Sequence, residues 1–162
     1  MTIRPAAPAD LPAILRLTAA TPEAPIWSPA AYESYLAQIH PENQLILVED
    51  GGDPIGFIAG HTVAGVCELE SIAVAPANRR SGLGTCLLRA LTAWAVSRGA
   101  AKVELEVRAG NHSAISFYQR NQFHTDGLRP AYYRNPEEDA LLMSLPLPPL
   151  DSVSSSFPPQ ID

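Results

Sequence analysis

Two features of this 162-residue chain predict an α+β fold, a single mixed and mostly antiparallel central sheet flanked by helices. The β-rich runs Gln44 to Glu49 and Ile55 to Val63 are joined by Asp50-Gly51-Gly52-Asp53, a hairpin signal that sets neighbouring strands antiparallel. Helical patterns cluster before this run and then interleave with strands only after it, an order unlike the regular alternation of a doubly wound parallel sheet.

In chain order, Thr2 to Arg4 reads as a short strand, and Asp10 stands as an N-cap before Leu11, Ile14, Leu15 and Leu17 at helical spacing. Pro12 falls early enough in that helix to be tolerated. Thr21 to Pro29 is proline-rich and irregular; Ser28 followed by Pro29 is an N-cap with proline at the first helical position, opening a helix through Tyr32, Tyr35 and Leu36. Cys67 to Ala75 continues the sheet. Gly82-Leu83-Gly84 opens a long helix whose Leu83, Leu87, Leu91 and Trp94 share one face, and Arg98-Gly99 closes it. Lys102 to Arg108 alternates, with Val103, Leu105 and Val107 on one face and Glu104, Glu106 and Arg108 on the other. Asn111 or Ser113 caps a helix through Ile115, Phe117 and Tyr118, and two strands finish the sheet, the last from Asp139 to Leu145. The predicted domain spans 1–145. Residues 146–162 hold five prolines and four serines with almost no apolar period, and read as a disordered tail.

Composition narrows the function classes. With 46% apolar residues the chain can bury one core. Its apolar stretches fall well short of the roughly 20 residues needed to cross a bilayer, and Met1 to Pro5 lacks the apolar region of a secretory signal, so a cytoplasmic protein with no membrane partner is expected. A net charge of -6 offers no basic stripe for nucleic acid. Cys67 and Cys86 have no C-x-x-C spacing and His40, His61, His112 and His124 no ligand spacing, so neither a disulfide framework nor a metal is expected.

The most informative segment runs from Ile72-Ala73-Val74 to Arg79-Arg80-Ser81-Gly82-Leu83-Gly84-Thr85. A strand enters a loop with two arginines and two glycines, and the loop becomes a helix. Successive amides there can face an anion, and the helix end adds partial positive charge, a design suited to a pyrophosphate. The lysine of a Walker A loop is missing, as are the third glycine and later acid of a dinucleotide fingerprint.

Arg79-Arg80-Ser81-Gly82-Leu83-Gly84 resembles the R/Q-x-x-G-x-G/A signature of the GCN5-related N-acetyltransferases, and the resemblance covers roughly residues 2 to 145. Ile72-Ala73-Val74, Leu105-Glu106-Val107-Arg108-Ala109 with Asn111, Ala114-Ile115, Phe117-Tyr118, Tyr132-Tyr133 and Glu138-Asp139-Ala140 are similar to the ribosomal-protein-alanine branch of that family, as is Trp27-Ser28. The resemblance implies acetyl-CoA as co-substrate and a strand pair splayed apart where it binds. It assigns the pyrophosphate to the loop Arg79 to Thr85, the pantetheine amides to the backbone of Ile72 to Val74, and the CoA arm to Asn111. It implies an acceptor that is a protein N-terminus, the alanine of ribosomal protein S18.

Acetylating an amine requires removal of an ammonium proton, stabilisation of the developing oxyanion and, where needed, protonation of the departing thiolate. Deprotonation at pH 7 costs about 1 kcal/mol for an α-amine and about 5 for a lysine. By resemblance Glu106 is the base and Tyr118 the acid; Glu68 and Glu70 are the reserve bases, since other family members carry the base on the strand before the signature loop. Without the resemblance, Glu106 reads as a solvated strand glutamate and Tyr118 as core. A small-molecule amine acetyltransferase and a non-catalytic acetyl-CoA-binding regulator are the alternatives; Tyr132-Tyr133 with Trp27 favours a peptide groove over a closed pocket. The family usually has glycine before the phenylalanine that ends the last helix, where this chain has Gln122 before Phe123, leaving Gln122 or Asn121 to make the turn.

Overall fold

The computed structural model describes residues 1–25 and 27–153. Seven strands form one sheet: β1 (Thr2–Pro5), β2 (Asn43–Asp50), β3 (Asp53–Val63), β4 (Val66–Val74), β5 (Lys102–Arg108), β6 (His124–Tyr133) and β7 (Glu138–Pro146), in the order β1-β2-β3-β4-β5-β7-β6. Every neighbouring pair is antiparallel except β4 with β5. The helices are α1 (Leu11–Ala19), α2 (Pro29–Leu36), α3 (Leu83–Ser97), α4 (His112–Arg120) and the single turn α5 (Leu150–Val153). The α+β expectation with one mixed sheet holds.

The sheet separates two apolar layers. Ile14, Leu17, Tyr32 and Leu36 of α1 and α2 pack with Leu45, Leu47, Phe57 and Ala59 on one face. Leu83, Leu87, Leu88 and Leu91 of α3, with Tyr118 of α4, pack with Ile58, Cys67, Leu69, Val103, Leu105 and Met143 on the other. The alternation of Lys102 to Arg108 does what its period dictates: Val103, Leu105 and Val107 are buried, and the glutamates point to the opposite face.

β4 departs from simple alternation. Leu69 opposes Gly60 and Ser71 opposes Ala59, so Glu70 is an extra residue, a β-bulge. Before it Cys67 and Leu69 join the α3 layer; after it Ala73 joins the α1/α2 layer, while Ile72 and Val74 turn to α3. One strand thereby contributes to both cores.

Some end signals behave as expected and others do not. Ser28 Oγ accepts the Ala31 amide at 3.3 Å, capping α2. Asp10 does not cap α1 through its side chain. It pairs with Arg4 at 2.8 Å and accepts the Ala7 amide at 2.7 Å, because an arginine bridging to Glu49 lies within reach. Gln122 takes the left-handed turn, with φ of 70°. Ordered backbone runs past 145: β7 ends at Pro146, the Leu147 amide donates to Ala101 O at 2.8 Å, and α5 follows. The remainder of the expected tail, 154–162, lies outside the described residues. No helix among those described is long and apolar enough to cross a membrane.

Candidate active site

The parallel pair β4–β5 is the structural origin of the site. Its register covers Val66 to Glu68 against Lys102 to Glu104 and stops there, although β4 continues to Val74 and β5 to Arg108. Beyond Glu68 the strands part. β3 covers the other edge of β4 up to Val74, so the edge of β4 that faces β5 is left without a strand partner from Leu69 onward. Ile72, Ala73 and Val74 lie in the parted stretch.

The signature loop leaves β4 at this opening. A 3-10 turn at Pro76–Asn78 is followed by Arg80 and Gly82, both left-handed with φ of 60° and 86°, on either side of a Ser81 that is not. Such alternation turns successive amides to the same side. The N–H groups of Arg80, Ser81, Gly82, Leu83, Gly84 and Thr85 donate to no acceptor among the described residues, and the first to do so is that of Cys86, to Gly82 O at 3.1 Å. Six free amides at the positive end of a fifteen-residue helix fit a pyrophosphate. Leu83 is buried and contributes only its backbone. At Gly84 a Cβ would stand 3.1 Å from the Phe117 ring, so this position sets how closely α3 approaches α4.

The two arginines differ. Arg79 folds back, its guanidinium donating to Val74 O at 3.3 Å and to Ala20 O at 3.5 Å, and so braces the loop against β4 and the end of α1. Arg80 is exposed with no side-chain partner among the described residues, leaving its charge available to an anion. Ser81 Oγ donates to Asn78 O. Asn111 Oδ1 accepts the Ala114 amide at 3.2 Å, so Asn111, not Ser113, caps α4; its amide nitrogen is not used by that bond.

Glu106 projects from β5 onto the α1/α2 face of the sheet. Its carboxylate meets Arg129 at 3.3 Å, and it is the main cause that pushes the phenol of Tyr132 above its ordinary value. Tyr132 is 46% exposed. Tyr118 lies in the α3 layer between Phe117 and Phe123, ring centroids 5.2 and 5.5 Å away. Burial, and secondarily Tyr133, push its phenol well above the ordinary range, which keeps the proton on the hydroxyl. That hydroxyl has no hydrogen-bond partner among the described residues. Glu106 and Tyr118 are therefore rooted in opposite faces of the sheet, with no direct contact. Trp27 lies tilted against Tyr32 and Tyr35, ring centroids 4.9 and 5.2 Å apart, whereas Tyr132 and Tyr133 meet edge to face at 5.1 Å.

Sequence spacing missed one cluster. His61 Nδ1 lies 2.8 Å from Glu70 and 3.7 Å from Glu68, and Tyr35 donates its hydroxyl to Glu70 at 2.6 Å. Burial and that carboxylate push Tyr35 up. The donor atoms of His61, Glu68 and Glu70 lie within 4.8 Å of one another, so a cross-strand group with ligand chemistry exists that no H-x-x-x-H pattern reveals. Only the register of β3 against β4, with its bulge at Glu70, brings these positions together.

Acetyltransferases are among the known proteins that this chain is similar to. The model of the acetyltransferase (GNAT) family matches residues 11–123. The N-alpha-acetyltransferase RimI of Mycobacterium tuberculosis is 37% identical over 121 residues, covering 72% of this chain and 73% of the relative. The [ribosomal protein bS18]-alanine N-acetyltransferase of Escherichia coli K12 is 34% identical over 140 residues, 85% of this chain and 92% of the relative. The crystal structure of the ribosomal-protein-S18-alanine N-acetyltransferase from Escherichia coli superposes with a TM-score of 0.77 at 31% identity, covering 90% of this chain and 93% of that one. A free-amide cradle at a parted strand pair, within a chain this similar to acetyltransferases, leads to one identification: the protein is an acyltransferase belonging to the GNAT acetyltransferase family.

Proposed function

We propose that this enzyme acetylates the N-terminal α-amine of a protein, the alanine of ribosomal protein S18 being the leading acceptor, with acetyl-CoA as donor. The donor supplies an acyl group activated as a thioester. The observation that carries the donor side is the run of six free amides from Arg80 to Thr85 beside parted strands. Arg80 adds charge to that cradle, Asn111 offers its amide nitrogen to the CoA arm, and the uncovered edge of β4 at Ile72 to Val74 offers backbone groups to the pantetheine.

On the opposite face, Glu106 takes the proton of the incoming ammonium, directly or through water, while Arg129 holds the carboxylate in place. Tyr118, kept protonated by burial, gives its proton to the departing thiolate. The α-amine reading suits this arrangement because an α-amine demands about 1 kcal/mol of deprotonation where a lysine demands about 5. The relatives that act on the S18 alanine support the choice of acceptor. Incubation of acetyl-CoA with peptides offering free alanine, serine or lysine amines, read by mass spectrometry, tests it: acetylation confined to α-amines and strongest on alanine is expected, and lysine acetylation alone overturns it.

A further inference from the structure

The Gly110–Asn111 turn and the acceptor face stand on different elements, yet Arg108 and its partner Glu138 tie them together. Arg108, at the end of β5, donates from one nitrogen to Pro136 O at 3.1 Å and Glu138 Oε1 at 3.3 Å, and from another to Arg134 O at 3.3 Å. Its guanidinium carbon stands 4.4 Å above the centre of the Tyr133 ring. All four partners belong to the β6–β7 hairpin, which carries Tyr132 beside Glu106. Glu138 then turns back: its Oε2 accepts the Gly110 amide at 2.6 Å, and a Cβ on Gly110 would stand at 2.6 Å from that same oxygen. The residue after Gly110 is Asn111, which caps the helix that bears Tyr118.

We infer that Arg108 is a positioning residue that couples the two substrates, holding the Tyr132–Tyr133 hairpin in register with the Gly110–Asn111 turn so that ordering of one site orders the other. A guanidinium suits this task because it is planar and carries several donors in a fixed fork, here spread over two carbonyls, a carboxylate and a ring. Arg108 does not touch Glu106 or the free amides, so its effect on chemistry passes through the hairpin. With Arg108 and Glu138 about one-third and one-quarter exposed, the pair is too solvated to be a major source of global stability. The inference rests on the acceptor lying along Tyr132 and Tyr133, as proposed above.

Arg108→Gln and Arg108→Lys test it on the full chain. Acceptor-peptide KM is expected to rise about tenfold in Arg108→Gln, with kcat at saturation within threefold and acetyl-CoA affinity within twofold of the parent. Arg108→Lys restores the charge but not the fork and is expected to recover only part of the loss. Hydrogen exchange of residues 131–138 with and without acetyl-CoA supplies a readout that needs no turnover. The donor is expected to slow exchange there in the parent and to leave it unchanged in Arg108→Gln. Loss of acetyl-CoA affinity in the peptide-free enzyme as large as the loss of acceptor affinity, or an unaltered acceptor KM, overturns the coupling role. If the parent acetylates no peptide, the acceptor reading fails; coupling still stands or falls on the exchange result.

Discussion

Gly82→Ala isolates the backbone conformation of the cradle from every steric effect. Gly82 sits at φ 86° and ψ -1°, and a Cβ built on it meets nothing within 4 Å, so the substitution introduces no clash. The left-handed conformation costs an L-residue about 1–2 kcal/mol, offset by the reduced freedom of alanine in the unfolded chain, for a net loss of about 1 kcal/mol. For a domain of this size that lowers Tm by roughly 2–4 °C. If the backbone instead relaxes toward negative φ, the Leu83 to Thr85 amides swing off the anion. Losing one charge-assisted amide contact costs about 1.5–3 kcal/mol, a ten- to hundredfold weaker acetyl-CoA affinity. Gly51→Ala is the matched control, with φ of 59°, equally open space and a place in the β2–β3 turn far along the chain from the cradle. Thermal melts and calorimetric titration with acetyl-CoA read both variants. Both should melt lower, and only Gly82→Ala should bind the donor more weakly. Equal donor affinity in Gly82→Ala and the parent, at unchanged Tm, would refute the reasoning, as would donor weakening in Gly51→Ala.

Three further outcomes are expected. Glu106→Gln should lower turnover by about 10²- to 10⁴-fold with donor binding intact, and the defect should shrink as pH passes the acceptor's pKa and free amine arrives without help; a parental rate at pH 7 transfers the base role to Glu68 or Glu70. Tyr118→Phe should slow turnover while acetyl-CoA affinity stays within a few fold, and unaltered steady-state rates reduce Tyr118 to core packing. Burial pushes the Cys67 thiol from its ordinary 9.0 to about 12, so the unfolded chain ionises first and this thiol's contribution to stability is lost as pH rises through that window. A thiol reagent at pH 8 should accordingly label the exposed Cys86 in the native protein and both cysteines only after denaturation; two thiols reacting at once in the native state contradict the burial of Cys67.

What the sequence revealed depended on how local each signal is. Ser28 before Pro29, the leucine spacing of α3 and the alternation of β5 are written within one element, and the structure follows them. The left-handed turn at Gln122 was anticipated as one of two options because the family usually carries glycine at that position, and Phe123 after it enters the core, 3% exposed. The bulge at Glu70 was not legible: it exists only relative to β3, and nothing in Glu68-Leu69-Glu70-Ser71 marks which residue loses its partner. The contact of His61 with Glu70 follows from cross-strand pairing and was hidden for the same reason. Asp10 shows a different failure, a good cap residue drawn away by a stronger charged partner in Arg4. For the candidate site, the loop of free amides falls within the segment Arg79 to Thr85 that the sequence singles out, but the contrast between a bracing Arg79 and a free Arg80 required the path of the chain.

The short junction of β4 with β5 makes the sheet two panels joined by a seam. One panel is β1 to β4, the other β5 to β7, and their paired backbone extends only from Val66 to Glu68. A donor bound as proposed, between the free amides of Arg80 to Thr85 and Asn111, would act as a rivet across that seam. At a concentration one hundred times its Kd, such a ligand adds about 2.7 kcal/mol to folding, worth roughly 5–10 °C in a domain of this size. Without such a ligand the two panels are joined only by that short pairing and by the α3 layer, whose leucines pack on Cys67 and Leu69 of one panel and on Val103, Leu105 and Met143 of the other.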